Sequence, residues 1–216
     1  MFYGNVRSNI EFPNEGGLDT RFSITLMCWV QPRGQNGSLF SYGNHFDFML
    51  PGVRMGILGG HFFIEIVERR SFSRGSIIRT PEVLPVGKWV HVAASYDHSS
   101  GNNSLYINGD LSSSHNIGRG YQIATNTQKV RIGSARARDG YFKGKIAEMK
   151  VYDVALNGAQ IQTSIRQGSC AFPVIVVSLP YPMIPLVIET PVIQQPHKIK
   201  QTSVLGTSFV KQRRDL

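Results

Sequence analysis

Cysteine is scarce: the 216-residue chain has two, Cys28 and Cys170, and neither belongs to a C-x-x-C pair. A structural zinc site is thereby excluded for want of ligands. Cys28 lies in an apolar run and reads as a small buried hydrophobe, with a Cys28–Cys170 disulfide as the alternative. Acid is scarce too, with 14 Asp and Glu against 23 Lys and Arg, for a formal net charge of +9. That excess favours polyanionic partners: nucleic acid, acidic glycans or anionic membrane surfaces. The opening residues, MFYGNVRSNIEF, lack a basic segment followed by an apolar core, so they do not read as a secretory signal. Phe172–Ile193 is apolar, but Pro173, Pro180, Pro182, Pro185 and Pro191 interrupt it and Glu189 adds a charge. Each proline removes a backbone donor and breaks a helix interior, so no transmembrane span is expected. The stretch reads as an extended tail, with a membrane-associating segment as the alternative. Pro196–Leu216 is polar and basic and is expected to be disordered.

Strand signals dominate what remains. In Lys88–Asp97, Val90, Val92, Ala94 and Tyr96 share one face, while Trp89, His91, Ala93 and Ser95 share the other. Ser104–Ile107 follows, and Asn108-Gly109 supplies the positive φ angles of a type I′ hairpin turn before Leu111–His115. Upstream, strands are expected at Val6–Phe12, Ile24–Val30, Ser38–Ser41, Phe46–Leu50, Met55–Leu58 and His61–Val67. Both faces of Ile24–Val30 carry bulk, which predicts a strand covered on two sides. Glu68–Gly75 reads as a charged loop and Ser76–Arg79 as a minor strand stopped by Pro81. Lys129–Gly133 and Ala147–Val151 are the last strands. Apolar parity switches between Ile146 and Met149, so a bulge or a strand starting after Ile146 is expected. The helical signal is confined to one place: Asn157 as N-cap, Ile161 and Ile165 four apart, and Gly168 as the stop.

Five blocks carry a resemblance: ITLMCWVQP (Ile24–Pro32), KWVHVAASYD (Lys88–Asp97), LYINGDL (Leu105–Leu111), VRIGSA (Val130–Ala135) and YFKGKIAEMKVYDVAL (Tyr141–Leu156). In this order and spacing they resemble the laminin-G-like, concanavalin A-like jelly roll, in the branch that includes pentraxin-like domains. The resemblance implies an all-β, two-sheet antiparallel sandwich over residues 1–168, one short C-terminal helix, and an extended tail over 169–216. It also implies an extracellular, non-catalytic module for glycans, sulfated polysaccharides or protein partners, often with calcium. At the family's Ile-Asp-Glu, this chain reads Ile146-Ala147-Glu148, so one acidic oxygen of a calcium site is missing. Phe142 of the family's Phe-x-Gly is expected in the core, and Trp29 and Trp89 likewise.

Catalytic patterns are absent. There is no Gly-x-Ser-x-Gly, phosphate loop or zinc-type His pair, and no Glu-x-Asp-x-x-Glu of the β-glucanases that share the sandwich. Glycoside hydrolysis needs two carboxyl groups at a defined separation. Glu65 and Glu68, three apart on a strand, point to opposite faces and read as solvated strand-end charges. His91 has no nucleophile motif and reads as structural, near the surface of its sheet. The basic residues offer more. Arg131, Arg136, Arg138, Lys143 and Lys145 cluster around the loop between the last two strands, and Arg69, Arg70 and Arg74 around another. A plain solvated face is one reading; the sharper one is a site for an anionic glycan or acidic partner built from the first cluster. The expected function is a recognition module acting through rim loops, then a structural spacer, then a hydrolase. Nucleic acid is not expected, for lack of a recognisable module.

Overall fold

The computed structural model describes residues 1–5, 8–14, 20–42, 52–69, 71–125, 129–135, 140–167 and 175–176. The expected strand Phe46–Leu50, Arg70, Arg136, Arg138 and Cys170 lie outside the described residues. In chain order the strands are β1 (Phe2–Tyr3), β2 (Ile10–Phe12), β3 (Ile24–Pro32), β4 (Gly37–Tyr42), β5 (Val53–Leu58) and β6 (His61–Glu68). They continue as β7 (Ser71–Val83), β8 (Val90–Asp97), β9 (Asn102–Ile107), β10 (Asp110–Asn116), β11 (Val130–Ile132) and β12 (Lys143–Tyr152). A helix, α1 (Gly158–Gln167), and the two-residue β13 (Ile175–Val176) follow.

The strands form two sheets. One runs β1-β12-β3-β8-β9-β10, with β13 also beside β12, and the other runs β2-β11-β4-β5-β6-β7. Pairing is antiparallel throughout except for β13. This is the jelly-roll sandwich that alternation and turn spacing predict. Its interior follows from parity: Ile24, Leu26, Cys28 and Val30 of β3 and Val90, Val92, Ala94 and Tyr96 of β8 share one cluster with Phe40, Met55, Phe62, Ile64 and Ile66 of the other sheet. Each fully buried large side chain here is worth about 1.5–3 kcal/mol. On the opposite face of β3 and β8, Met27 and Ala93 pack with Tyr106, Tyr152, Leu156 and Ile161, so α1 covers that part of the sheet. β3 is therefore clad on both sides, as its two bulky faces require.

Local chemistry sets the element ends. Asn108 and Gly109 have φ of 54° and 88°, the positive pair a type I′ turn needs. At α1, Asn157 Oδ1 accepts from the Gln160 amide and Gln160 Oε1 accepts from the Asn157 amide, both at 3.0 Å, a reciprocal capping box. At its other end, Lys150 Nζ donates to the Ser164 carbonyl at 3.1 Å, satisfying a last-turn acceptor and the helix dipole. The parity switch in β12 is a bulge, with the register slipping between Ala147 and Lys150 and Glu148 at φ 51°. Gly144 has φ 147°, and a Cβ there would stand 2.3 Å from the Gln31 carbonyl and 2.7 Å from the Phe142 ring. Its bareness lets Phe142 anchor in the core, fully buried.

Three expectations change, and Cys28 is the buried small hydrophobe it was expected to be. β7 extends through the segment read as a loop and past Pro81, because it is the edge strand of its sheet and one side needs no ladder donor. The register slips beside it, and Thr80 Oγ1 bridges the gap, accepting from the Phe62 amide and donating to the Glu82 carbonyl. Of the strand expected at Val6–Phe12, Ile10–Phe12 is strand and Ser8 and Asn9 are not, Val6 and Arg7 lying outside the described residues. Phe2–Tyr3 adds another strand before it. The tryptophans are not core. Trp29 is half-buried on the outward face, and Trp89 is 44% exposed. Parity had already assigned the core face of β8 to Val90, Val92, Ala94 and Tyr96, so the indoles fall on the other side. Cys28 is a free thiol, and burial pushes its pKa far up, which leaves it unreactive.

Candidate functional site: a basic and aromatic rim

Register brings four segments together at one end of the seven-stranded sheet. Tyr3 pairs with Lys143, and Lys145 pairs with Gln31. Gln31 Nε2 donates to the Gly87 carbonyl at 2.9 Å, and the Gly87 amide donates to the Pro32 carbonyl at 2.7 Å. The Arg33 amide donates to the Lys143 carbonyl at 2.8 Å. The segment that carries Lys88 and Trp89 is thereby tied to the end of β3, beside β12 and β1. Arg33, Lys88, Lys143 and Lys145 are all exposed, and none has an ion-pair partner among the described residues. Tyr3 is exposed next to them, and Trp29 lies further along the same face, edge-on to His91 with centroids 5.4 Å apart.

Of the five cations expected to form the site, Lys143 and Lys145 stand together here. Arg131 does not join them: it is on β11, in the other sheet, with Nε 2.9 Å from Glu11 Oε1. Lys129 reaches Glu11 Oε2 at 3.3 Å, and the Arg131 hydrogen bond holds that carboxyl below its usual range. Arg136 and Arg138 lie outside the described residues. Arg33, Lys88 and Trp89 were missed as candidates. A signal for Trp89 was present in its parity, opposite to the filled core face, and in its place beside Lys88.

The family model described as the concanavalin A-like lectin/glucanases superfamily, of laminin G type, matches residues 4–162. The chain belongs to this superfamily. No curated relative matches it in sequence. Among solved structures it is similar to the Ruminococcus gnavus IT-sialidase CBM40 bound to α2,3-sialyllactose, at 18% identity and TM-score 0.59, covering 72% of this chain and 95% of that one. It is also similar to domain 4 of a GH43 extracellular arabinanase from Geobacillus stearothermophilus in complex with arabinotriose, at 23% identity and TM-score 0.57, covering 74% and 73%. Domains LG4-5 of the mouse laminin α1 chain give 16% identity and TM-score 0.54, covering 69% and 40%. The chain spans about two fifths of that laminin fragment and of several other solved chains it matches.

A superfamily that counts glucanases prompts a search for paired acids. Glu65 is not a solvated strand-end charge: it is 9% exposed and bound to Arg54 Nε at 2.9 Å, opposite it on β5. Its carboxylate is engaged in an ion pair within the sheet. His91 lies on the outward side of its sheet but is 3% exposed, and its Nδ1 has no hydrogen-bond partner. Burial, with Lys150 nearby, pushes its pKa down to about 3, so the ring is neutral. Lys150 Nζ and Tyr152 OH lie 3.1 and 3.0 Å from Ser164 Oγ, beside a cavity of about 420 Å³ under α1. The ammonium is a donor there and ties down the helix end, with Glu148 3.9 Å away. As for calcium, Ala147 brings no side-chain oxygen, Glu148 lies 3.9 Å from Lys150, and the described residues hold no group of three His, Cys, Asp or Glu. At the position of the family's Ile-Asp-Glu these side chains do not supply the acidic oxygens a hard cation favours.

Proposed function

We propose that this domain is a non-catalytic recognition module that holds acidic glycans against the rim of Tyr3, Gln31, Arg33, Lys88, Trp89, Lys143 and Lys145. The observation that carries the reading is the set of unpaired cations beside an exposed indole. Guanidinium and ammonium groups make charge-assisted hydrogen bonds to sulfate or carboxylate oxygens. An aromatic face covers the apolar side of a sugar ring, and the Gln31 side chain adds an amide. The module acts outside the cell, on a glycan chain or on a glycosylated protein. The sialyllactose and arabinotriose held by two solved relatives support a saccharide ligand. No helix among the described residues is long and apolar enough to cross a membrane.

Retention on immobilised heparin tests the reading. The combined Lys88→Ala, Lys143→Ala and Lys145→Ala variant is expected to elute at markedly lower salt with an unchanged melting temperature. Replacing the same residues by Arg should restore retention. If the alanine variant elutes with the wild type, the rim is not the site.

A further inference from the structure

Three loops meet at this end of the sandwich. The Gly59 amide donates to Asn36 Oδ1 and the Gly60 amide to the Gln35 carbonyl, both at 2.8 Å. The Leu84 amide donates to the Gly60 carbonyl at 2.9 Å, and Gly87 is bound to Pro32. The connections β3–β4, β5–β6 and β7–β8 therefore form one surface. Exposed apolar side chains run across it. Leu58 (38% exposed) and Val83 (55%) share a register row with His61 on the outer face of the six-stranded sheet. Val86 (59%) lies on the segment that crosses the end, and Trp89 (44%) lies towards the seven-stranded sheet. Pro85–Trp89 are exposed without a break, and a Cβ added at Gly59 or Gly87 would meet nothing within 4 Å. These are projecting tips, not the walls of a groove. Arg33 and Lys88 stand on the segments at this end and Lys143 and Lys145 at the start of β12 in the seven-stranded sheet, none ion-paired among the described residues. Glu82, next to Val83, is turned to the Ser112 hydroxyl at 2.5 Å.

Aliphatic side chains at the strand ends and on the crossing segment gain nothing from water, and no described residue buries them. We propose that this rim docks on an anionic membrane surface: Val86, Trp89, Leu58 and Val83 enter the headgroup boundary, and the four cations meet the charged lipid headgroups. Indole rings favour that boundary. Peripheral binding strength grows with buried apolar area and with attraction to anionic lipid. A fluid surface accommodates separated, protruding tips, whereas a protein partner would need a pocket for each. The proposal shares Trp89 and the four cations with glycan recognition and is told apart from it by Leu58, Val83 and Val86, which play no part in that reading.

Co-sedimentation of the full chain with phosphatidylcholine vesicles, with and without phosphatidylserine, tests it. The wild type is expected to bind the anionic vesicles, to release them as salt rises, and to stay off neutral ones. The combined Leu58→Asp and Val86→Asp variant should bind at least about tenfold more weakly with an unchanged melting temperature. Leu58→Ser with Val86→Ser, which adds no charge, should also weaken vesicle binding while leaving heparin retention unchanged. Lys88→Ala should cost about fivefold. If the aspartates lower the melting temperature, Val86→Ser is read in the same way. Wild type left in the supernatant, equal binding to neutral vesicles, or full binding by the aspartate variant overturns the proposal; the last would place attachment elsewhere in the chain, as in the apolar stretch Phe172–Ile193. Heparin retention lost while vesicle binding persists removes the glycan reading alone.

Discussion

Across the six-stranded sheet a single register row runs Glu11, Arg131, Ser41, Arg54, Glu65. Two arginines flank Ser41 and each is closed by the glutamate outside it: Arg131 by Glu11 and Arg54 by Glu65, both at 2.9 Å. The Arg54 guanidinium also lies 5.1 Å over the Phe63 ring. At the end of the seven-stranded sheet, Arg33, Lys88, Lys143 and Lys145 stand exposed with no such partners among the described residues. On the six-stranded sheet the exposed Arg79 of β7 also has no ion pair among the described residues, but the rim gathers four such cations next to an exposed indole. Charge density along the sequence does not show which cations are paired; if binding follows unpaired charge, the rim is the stronger site.

The largest effect is expected where the pairing is most buried. Glu65→Ala would leave the Arg54 guanidinium one-quarter exposed and without its carboxylate. A loss of about 2–3 kcal/mol in unfolding free energy is expected, read from the urea midpoint. The combined Arg54→Met and Glu65→Leu variant should recover most of it. An equal loss in the double variant would mean that the pair matters through shape and not charge.

Next comes His91, a titratable ring buried behind the free surface. In the fold it stays neutral down to a pKa of about 3, whereas in the unfolded chain it protonates near its ordinary value of 6.5. Between those values the unfolded state binds the extra proton, so its contribution is intact above about pH 6.5 and drains away as pH falls towards 3. The slope is about 1.4 kcal/mol per pH unit. His91→Leu should flatten the acid limb of the stability profile while changing little at neutral pH, since Nδ1 has no partner to lose. An unchanged limb would assign acid sensitivity to the carboxylates instead.

How far the sequence could be read follows from the same physics. Alternation with period two showed β3 and β8, their core faces and the second cover on β3, because burial of one face leaves a mark on every second residue. Asn108-Gly109 and Asn157 were legible because their chemistry is local. Pro81 misled, since an edge strand tolerates it and edge position is a property of the whole sheet. The tryptophans misled because size suggested core, while parity, the better guide, placed Trp89 outside. Lys143 and Lys145 were found from charge. Arg131 was grouped with them because nothing local reveals that Glu11, far away in sequence, sits across from it on β2.

Glu11 offers the smallest and most discriminating perturbation. Its carboxylate is more than one-third exposed on its side chain, so solvent screens the pairs it makes. Glu11→Gln should cost only a few tenths of a kcal/mol at neutral pH. Because its folded pKa is lowered, that small contribution is present above the ordinary carboxylate range and disappears as pH falls through it. The same substitution releases Arg131 and Lys129 at the β2–β11 edge of the six-stranded sheet, away from the rim. If unpaired charge decides binding, Glu11→Gln should raise heparin retention slightly, and the gain should persist when Lys88, Lys143 and Lys145 are all alanine. No gain in that background would mean that the indole and the geometry of the rim, beyond free cations, are what the ligand recognises.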